Sequence, residues 1–462
     1  MRKGTWQEIG SKKRMLLKKT GGGIHTGLPA EEIPDGMAAD MYNLSSRSYP
    51  QLRPRAARIK GMPDLPAGTL RYFGLILGNT PGAVVDKTLY TLQNDTWTSC
   101  GTLFTGAESR VFAVNYMDYT VFADGTECKK YDGTAISKVG GTNTGPTNAA
   151  FPVSHAWHLF TASTSDSYLR YSAVEDIDDW TAPLNAGQEL VETGRGAYGS
   201  ALYAYGGHVL YFKKSALFEL YGTDPVNFSL MEISGDIGCV SQSSLVEIDG
   251  VLYFVGMDAV YRYDGGARPK RISFPIQRFM DHLDTDRCTD IVAGSDGTRY
   301  YLSLPQKENQ SCLLTYDTRI AEWFVEDETE IFAFSLQEST LFGATRAGEV
   351  FAFNSKEEGE DVTWSYTSKP FLCENSLHQN WHRLYIRAAV PQGAHCTVYL
   401  SPWCGGEGFV RVAEVTKSGI TQIEIPPRLW DAPQIRIKLC GCGDITIPAL
   451  EFTFRGRERS YG

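Results

Sequence analysis

No run of about 18 apolar residues, the length a helix needs to cross a bilayer, occurs in the 462-residue sequence, so no helical membrane span is expected. Charge is sparse too: Asp, Glu, Lys and Arg supply only 21% of the residues, fewer than long solvent-facing helices require. With a net charge of −10 there is no general basic surface, which excludes a nucleic-acid binder that works by neutralising phosphates. Catalytic signatures are absent: no G-x-S-x-G, no H-E-x-x-H and no G-x-x-x-x-G-K-[ST] occurs, and the eight histidines are dispersed. At the head of the chain the only apolar run is Met15 to Leu17, short of the roughly seven residues of a secretory h-region, so synthesis and folding in a cytoplasm are expected.

What is present points to strands. Aromatics at 12%, with 24 Tyr and 46 Gly, fit many short strands joined by Gly turns, and the expected fold class is all-β in two domains. A unit of strand, tight turn, aromatic-rich strand and Gly or Asp recurs from about residue 70, clearest in VLYFVGMDAVYRYDGG. There Val251 to Val255 is the apolar run of a strand buried on both faces. Taking Leu159, Leu210, Leu252, Tyr300 and Leu341 as equivalent points, the steps are 51, 42, 48 and 41 residues, which bracket a four-stranded propeller blade. Residues 70–355 therefore read as a degenerate β-propeller of six to eight blades. NSKEEGEDVT reads as a solvated linker, and residues 362–462 as a β-sandwich, with Ile435, Ile437 and Leu439 inward and Arg436 and Lys438 outward. Residues 1–20 hold seven cations against Glu8, a basic arm read as a solvated tail or as an arm docking on an acidic partner.

Chemistry-bearing clusters are few. Cys100, Cys128, Cys239, Cys288 and Cys312 are scattered, as buried thiols would be. Cys373, Cys396, Cys404, Cys440 and Cys442 crowd the last quarter with His378, His382 and His395. The C-x-C at 440–442 is not a zinc knuckle; free thiols are expected there, with metal and disulfides as the alternatives. Ser295 opens SDGTRYY, a turn faintly like a sialidase Asp-box. Glu175, Asp176, Asp178 and Asp179 lack the ligand spacing of a calcium loop and read as a solvated loop. Trp364, Trp381, Trp403 and Trp430 are candidates for stacking on sugars, though core positions are the commoner role. No catalytic, cofactor or metal residue is assigned, and an enzyme is not expected.

The stretch GGGIHTGLPAEEIPDGMAADMYNLSSRSYPQLRPR, residues 21–55, carries a pattern of its own: Gly22 and Gly23; Ile33, Pro34, Asp35, Gly36 and Ala38; Asp40 and Asn43; Leu52, Arg53 and Pro54. It resembles the N-terminal signature of bacteriophage tail proteins of the nozzle or hub type, the tail tubular protein B family of short-tailed phages. Arg55 stands where that signature has Gly. HLFTASTSDSYLRYSAVEDIDDW is similar to a second hairpin pattern of the family, through Leu159, Phe160, Ala162, Ser172, Asp176 and Trp180. The resemblance implies a structural virion protein in the phage tail, a six-copy ring below portal and adaptor proteins. Fibre or tip proteins would adjoin it, and DNA would pass through without sequence-specific contact. The alternative is a host-surface glycan-binding or glycan-cleaving propeller. In physical terms residues 21–69 make a lead-in strap: Pro29 and Pro34 disfavour helix, Gly36 permits a turn, and Met37, Met41, Tyr42 and Leu44 are apolar anchors able to lie across the first blade or to join a sheet as an outer strand.

Overall fold

The computed structural model describes residues 5–106, 109–141, 145–192, 198–353, 361–372, 379–402, 408–429 and 431–460. Three Asp-Gly-Thr triplets show how this chain turns. The Oδ1 atoms of Asp124, Asp132 and Asp296 accept the amides two residues on, at 2.9, 2.8 and 3.0 Å, and three residues on, at 2.9, 2.7 and 2.8 Å. The glycine between takes φ of +88°, +94° and +91°, a region closed to most L residues. SDGTRYY is thus a turn of the same kind as its two siblings.

Such turns join consecutive strands within four-stranded antiparallel sheets, of which there are seven among the described residues, at 70–102, 112–138, 149–190, 201–234, 246–271, 292–327 and 333–353. The seventh has three strands of its own and takes its fourth, Ile59–Lys60, from the N-terminal side of the first sheet. Its Ala333–Gln337 strand also lies against Leu70–Ile76, so the seventh sheet meets the first and the circuit closes as in a β-propeller. Leu159, Leu210, Leu252, Tyr300 and Leu341 all fall on the second strand of their sheets and are at most 1% exposed, which is why that strand carried the most regular apolar signal.

Residues 363–460 supply most of two further antiparallel sheets, and each takes one strand from the first 45 residues. One runs Thr5–Leu17, Thr446–Ser460, Gln379–Ala389, Gly419–Glu424; the other runs Ala38–Tyr42, Thr363–Ser368, Gln434–Cys442, His395–Ser401, Val410–Val415. A single apolar cluster joins Trp381, Leu384 and Phe452 of the first sheet to Trp364, Val398 and Ile437 of the second, and continues into Tyr300 and Trp323 of the sixth blade.

Three expectations change. The basic head is not a solvated tail from residue 5 onward: it pairs with Thr446–Ser460 in a thirteen-residue strand, with a register break between Ile9 and Lys13. The strap's anchors Met41 and Leu44 do not lie across the first blade but pack between the sixth blade and the C-terminal sheets, in the cluster those elements share. Ala38–Tyr42 joins one of those sheets as its outer strand, the second of the two expectations. The first blade meets the end of the strap, where Leu65 packs on it and Trp97 Nε1 donates to Pro63 O at 3.1 Å. Arg436 does not face solvent: it is 6% exposed, its Nε donating to Ser368 O at 3.3 Å, while Ile435, Ile437 and Leu439 are fully buried. The linker NSKEEGEDVT falls largely outside the described residues.

Candidate functional site

Ten of the singled-out strap residues converge on one seam. It begins where glycine is obligatory. A Cβ on Gly36, whose φ is +86°, would stand 2.3 Å from Lys19 O; one on Gly23, at +88°, would stand 2.7 Å from Trp323 O; one on Gly22 would meet Gly36 O at 2.8 Å. These contacts bring three chain segments to backbone distance, and Ile24 N then donates to Trp323 O at 2.8 Å. Pro34 accepts from Met37 N at 3.2 Å and closes the loop that Lys369 pins, through Ile33 O at 2.9 Å and the Asp35 carboxylate at 2.6 Å.

Asn43 is the pivot. Its φ of +56° is left-handed, a conformation Asn tolerates better than most residues. Its amide donates to Glu326 O at 2.6 Å in the sixth blade, and its Nδ2 donates to Thr363 O at 2.8 Å in a C-terminal sheet. The carboxamide oxygen accepts from Arg55 Nε at 2.6 Å. Arg55 therefore has a task at the position where the family signature has Gly, and its backbone is not left-handed. Leu52, 1% exposed, exchanges both backbone bonds with Ile447, at 3.2 and 2.9 Å. Arg53 grips Asp444 with both ends of its guanidinium, Nε at 2.8 Å and Nη2 at 2.5 Å, and Arg47 also reaches this carboxylate while donating from Nε to Pro54 O at 2.7 Å. Burial alone would raise the Asp444 carboxyl; Arg53 and Arg47 outweigh it and hold it below the ordinary range. Asp40 makes a peripheral pair with Arg278 at 2.7 Å, both side chains about half exposed.

A charge cluster that the motif reading missed lies beneath. Arg58 donates to Asp327 Oδ2 at 2.7 Å and to Glu326 Oε2 at 3.2 Å; Arg55 reaches Asp327 at 3.1 Å. All four side chains are between 5% and 13% exposed. Burial pushes the Asp327 carboxyl up, but Arg58, the Thr329 amide and Arg55 more than offset this and leave it lowered. The sequence signal was four arginines, 47, 53, 55 and 58, within twelve residues of an acidic chain.

Ser172, Asp176 and Trp180 lie elsewhere, in the third blade. Ser172 Oγ accepts from Leu159 N at 3.0 Å and donates to Ala173 O at 2.9 Å; Asp176 accepts from Asp178 N at 2.9 Å; Trp180 Nε1 donates to Ile177 O at 2.8 Å. They shape one loop, and Trp180 packs against a different apolar cluster from that of the seam. Asp178 pairs with Lys130 and Asp179 caps a turn through Thr181 N, so the three aspartates of the acidic run are spent on structure, while Glu175 is exposed. Trp364 and Trp381 are 2% and 0% exposed, with Nε1 bonded to Gly443 O and Ala432 O, so neither stacks on a sugar; Trp403 and Trp430 lie outside the described residues. Cys396, Cys440 and Cys442 are free thiols, while Cys373, Cys404 and His378 lie outside the described residues. Burial pushes the Cys396 thiol up to about 12. Among the described residues no group of three or more His, Cys, Asp or Glu side chains is placed to hold a metal ion.

No protein-family model and no curated protein matches the sequence. Among solved structures the chain is similar to the computationally designed Ika8 protein, at 10% identity over 63% of this chain and 98% of that one, with a TM-score of 0.40. It is also similar to BamB from Moraxella catarrhalis, at 11% identity over 66% and 99%, TM-score 0.40. The extracellular domain of the putative one component system BT4673 from B. thetaiotaomicron is matched at 8% identity over 87% and 62%, TM-score 0.45.

Proposed function

We propose that this chain is a structural protein of a phage tail, one copy of a nozzle or hub ring below portal and adaptor, through which DNA leaves the capsid. The observation that carries the reading is the resemblance of residues 22–54 to the tail tubular protein B signature. It gains physical sense from the seam, because residues of that signature do a joining job: Gly22, Gly23, Gly36, Asn43, Leu52 and Arg53 tie the sixth blade to the C-terminal sheets. We take those two sheets, which share one apolar cluster, as the faces of a sandwich. A tail component has to transmit force between its neighbours without its two modules parting, and a strap bonded to both serves that end. The net charge of −10 suits a conduit, since carboxylates lining a lumen repel phosphates and let the genome slide. The family implies six copies, and the finished protein belongs in the virion.

Negative-stain electron microscopy of the purified chain mixed with the portal and adaptor of the same genome tests this. Rings of this chain stacked on the portal are expected. Copies that stay apart from the portal and from each other would overturn the reading, and release of sugars from host surface glycan by the same preparation would replace it with the glycan-cleaving alternative.

A further inference from the structure

A closed ring built from one kind of chain needs two different patches that fit each other, since its contacts are head to tail. Two surfaces of opposite character stand out on this molecule. The first is on the outer face of the sheet that begins with Thr5–Leu17. Across it the register sets Leu16 opposite Glu451, Glu451 opposite Tyr385, and Arg387 opposite Ile420. The inner face buries Leu384, Ile386 and Phe452; the outer face holds a groove of about 580 Å³ with Leu16 and Ile420 50% and 63% exposed on its floor. Its rim is basic. Among the described residues Lys18 and Arg387 have no ion-pair partner, and Arg14 has only a 3.6 Å contact to Glu451 with its side chain 76% exposed.

The second surface is a knob at the hairpin turns of the second and third blades. Ala156 and Trp157 occupy both left-handed positions of their turn, φ +47° and +64°, where Asn-Gly is the favoured pair and an L side chain costs about 1–2 kcal/mol. Among the described residues little packs on the indole to offset that cost, and Trp157 is 63% exposed. The turn is nevertheless held firmly: Trp157 O accepts from Tyr116 Oη at 2.6 Å and from Glu175 N at 2.9 Å. Met117, 53% exposed, and Val174, 37% exposed, widen the apolar tip. Its rim is acidic, with Asp118 and Glu175 exposed. A displayed Trp with an acidic rim has the composition of an interface anchor, and the groove has the complementary charge and an apolar floor.

We propose that neighbouring copies join head to tail, the Trp157 knob of one copy seating in the Leu16–Ile420 groove of the next, with Asp118 and Glu175 facing Lys18 and Arg387. This rests on the ring reading and gives it an interface. The contact is heterologous, so it repeats around a ring rather than ending at a dimer.

Light scattering of the full chain, alone and with portal and adaptor, follows assembly against concentration, and circular dichroism checks that each variant is folded. Lys18→Glu/Arg387→Glu and, separately, Trp157→Ala should raise the assembly midpoint at least tenfold. Adding Asp118→Lys/Glu175→Lys to the groove reversal should bring the midpoint back to within about fivefold of wild type, since the charges then match again. All four charged positions are surface side chains, so the exchange remains a valid test if Trp157→Ala does not fold. Assembly unchanged by the groove reversal, or lost and not rescued, overturns the pairing and leaves the ring reading standing. Groove variants that still assemble but release the adaptor would assign the groove to the adaptor and overturn the pairing as well. A wild-type chain that assembles in no condition overturns both.

Discussion

Replacing Arg58 by Met tests whether the buried charge cluster locks the strap. The change removes the 2.7 and 3.2 Å bonds to Asp327 and Glu326, a 3.0 Å bond to Thr329 Oγ1, and a guanidinium 4.6 Å from the Phe353 ring centre. Two carboxylates, 5% and 9% exposed, then keep Arg55 as their one ion-pair partner among the described residues, beside the neutral donors Thr315 Oγ1 and Thr329 N. Breaking a buried pair by removing one partner costs about 3–5 kcal/mol. Because the cluster is local, the loss should appear as easier opening of the seam rather than of the whole propeller. The reporters are the amides of Asn43 and Leu44, which donate to Glu326 O and Val325 O. At about 1.4 kcal/mol per decade, hydrogen exchange at these amides should accelerate about 10²- to 4 × 10³-fold in the EX2 regime, with amides of the first blade unchanged. Adding Asp327→Asn to Arg58→Met removes one uncompensated charge and should restore at least tenfold of that protection. Exchange at Asn43 and Leu44 within threefold of wild type in Arg58→Met would refute the locking role.

Three further outcomes follow from the same geometry. Gly36→Ala places a Cβ 2.3 Å from Lys19 O at φ +86°, so it should lower the melting temperature by several degrees, by differential scanning fluorimetry, whereas Gly78→Ala, with nothing within 4 Å, should lower it less. Trp381→Ala should cost about 3–5 kcal/mol in urea unfolding, as a core cavity does, and should leave any binding to sugars unchanged. Acid should weaken the fold in two steps. Burial lowers the His25 and His155 pKa values from 6.5, so their folded forms hold fewer protons than the unfolded chain; that stability is complete above about pH 6.5 and falls as pH drops. Asp327 and Asp444, both lowered, add a second loss below about pH 4, and thermal melts from pH 8 to pH 3 should show both.

The repeat was legible where burial was most complete. The second strands of blades three to seven sit between neighbouring blades and are buried along most of their length, so Leu159, Leu210, Leu252, Tyr300 and Leu341 kept their phase. The second strand of the first blade, Thr80–Val85, carries Pro81 and Gly82 and no aromatic residue, which hid it. The strap showed that Met37, Met41 and Leu44 were to be buried but not against what, since the partners come from residues about 250–400 positions away, such as Trp323 and Ile447. Residues 11–18 hid their strand behind charge: Arg14 and Lys18 alternate with Met15 and Leu17, which pack on the core, but Lys12 and Lys13 beside the register break obscure the period of two. The arginine cluster was visible as composition; only the fold shows it meeting Glu326 and Asp327.

Sedimentation of the full chain, alone and with the portal and adaptor of its genome, tests the central claim most directly. The ring account predicts a species of six times the 51.2 kDa chain that co-sediments with the portal stack. A single boundary at 51.2 kDa in every mixture and at every concentration would contradict it.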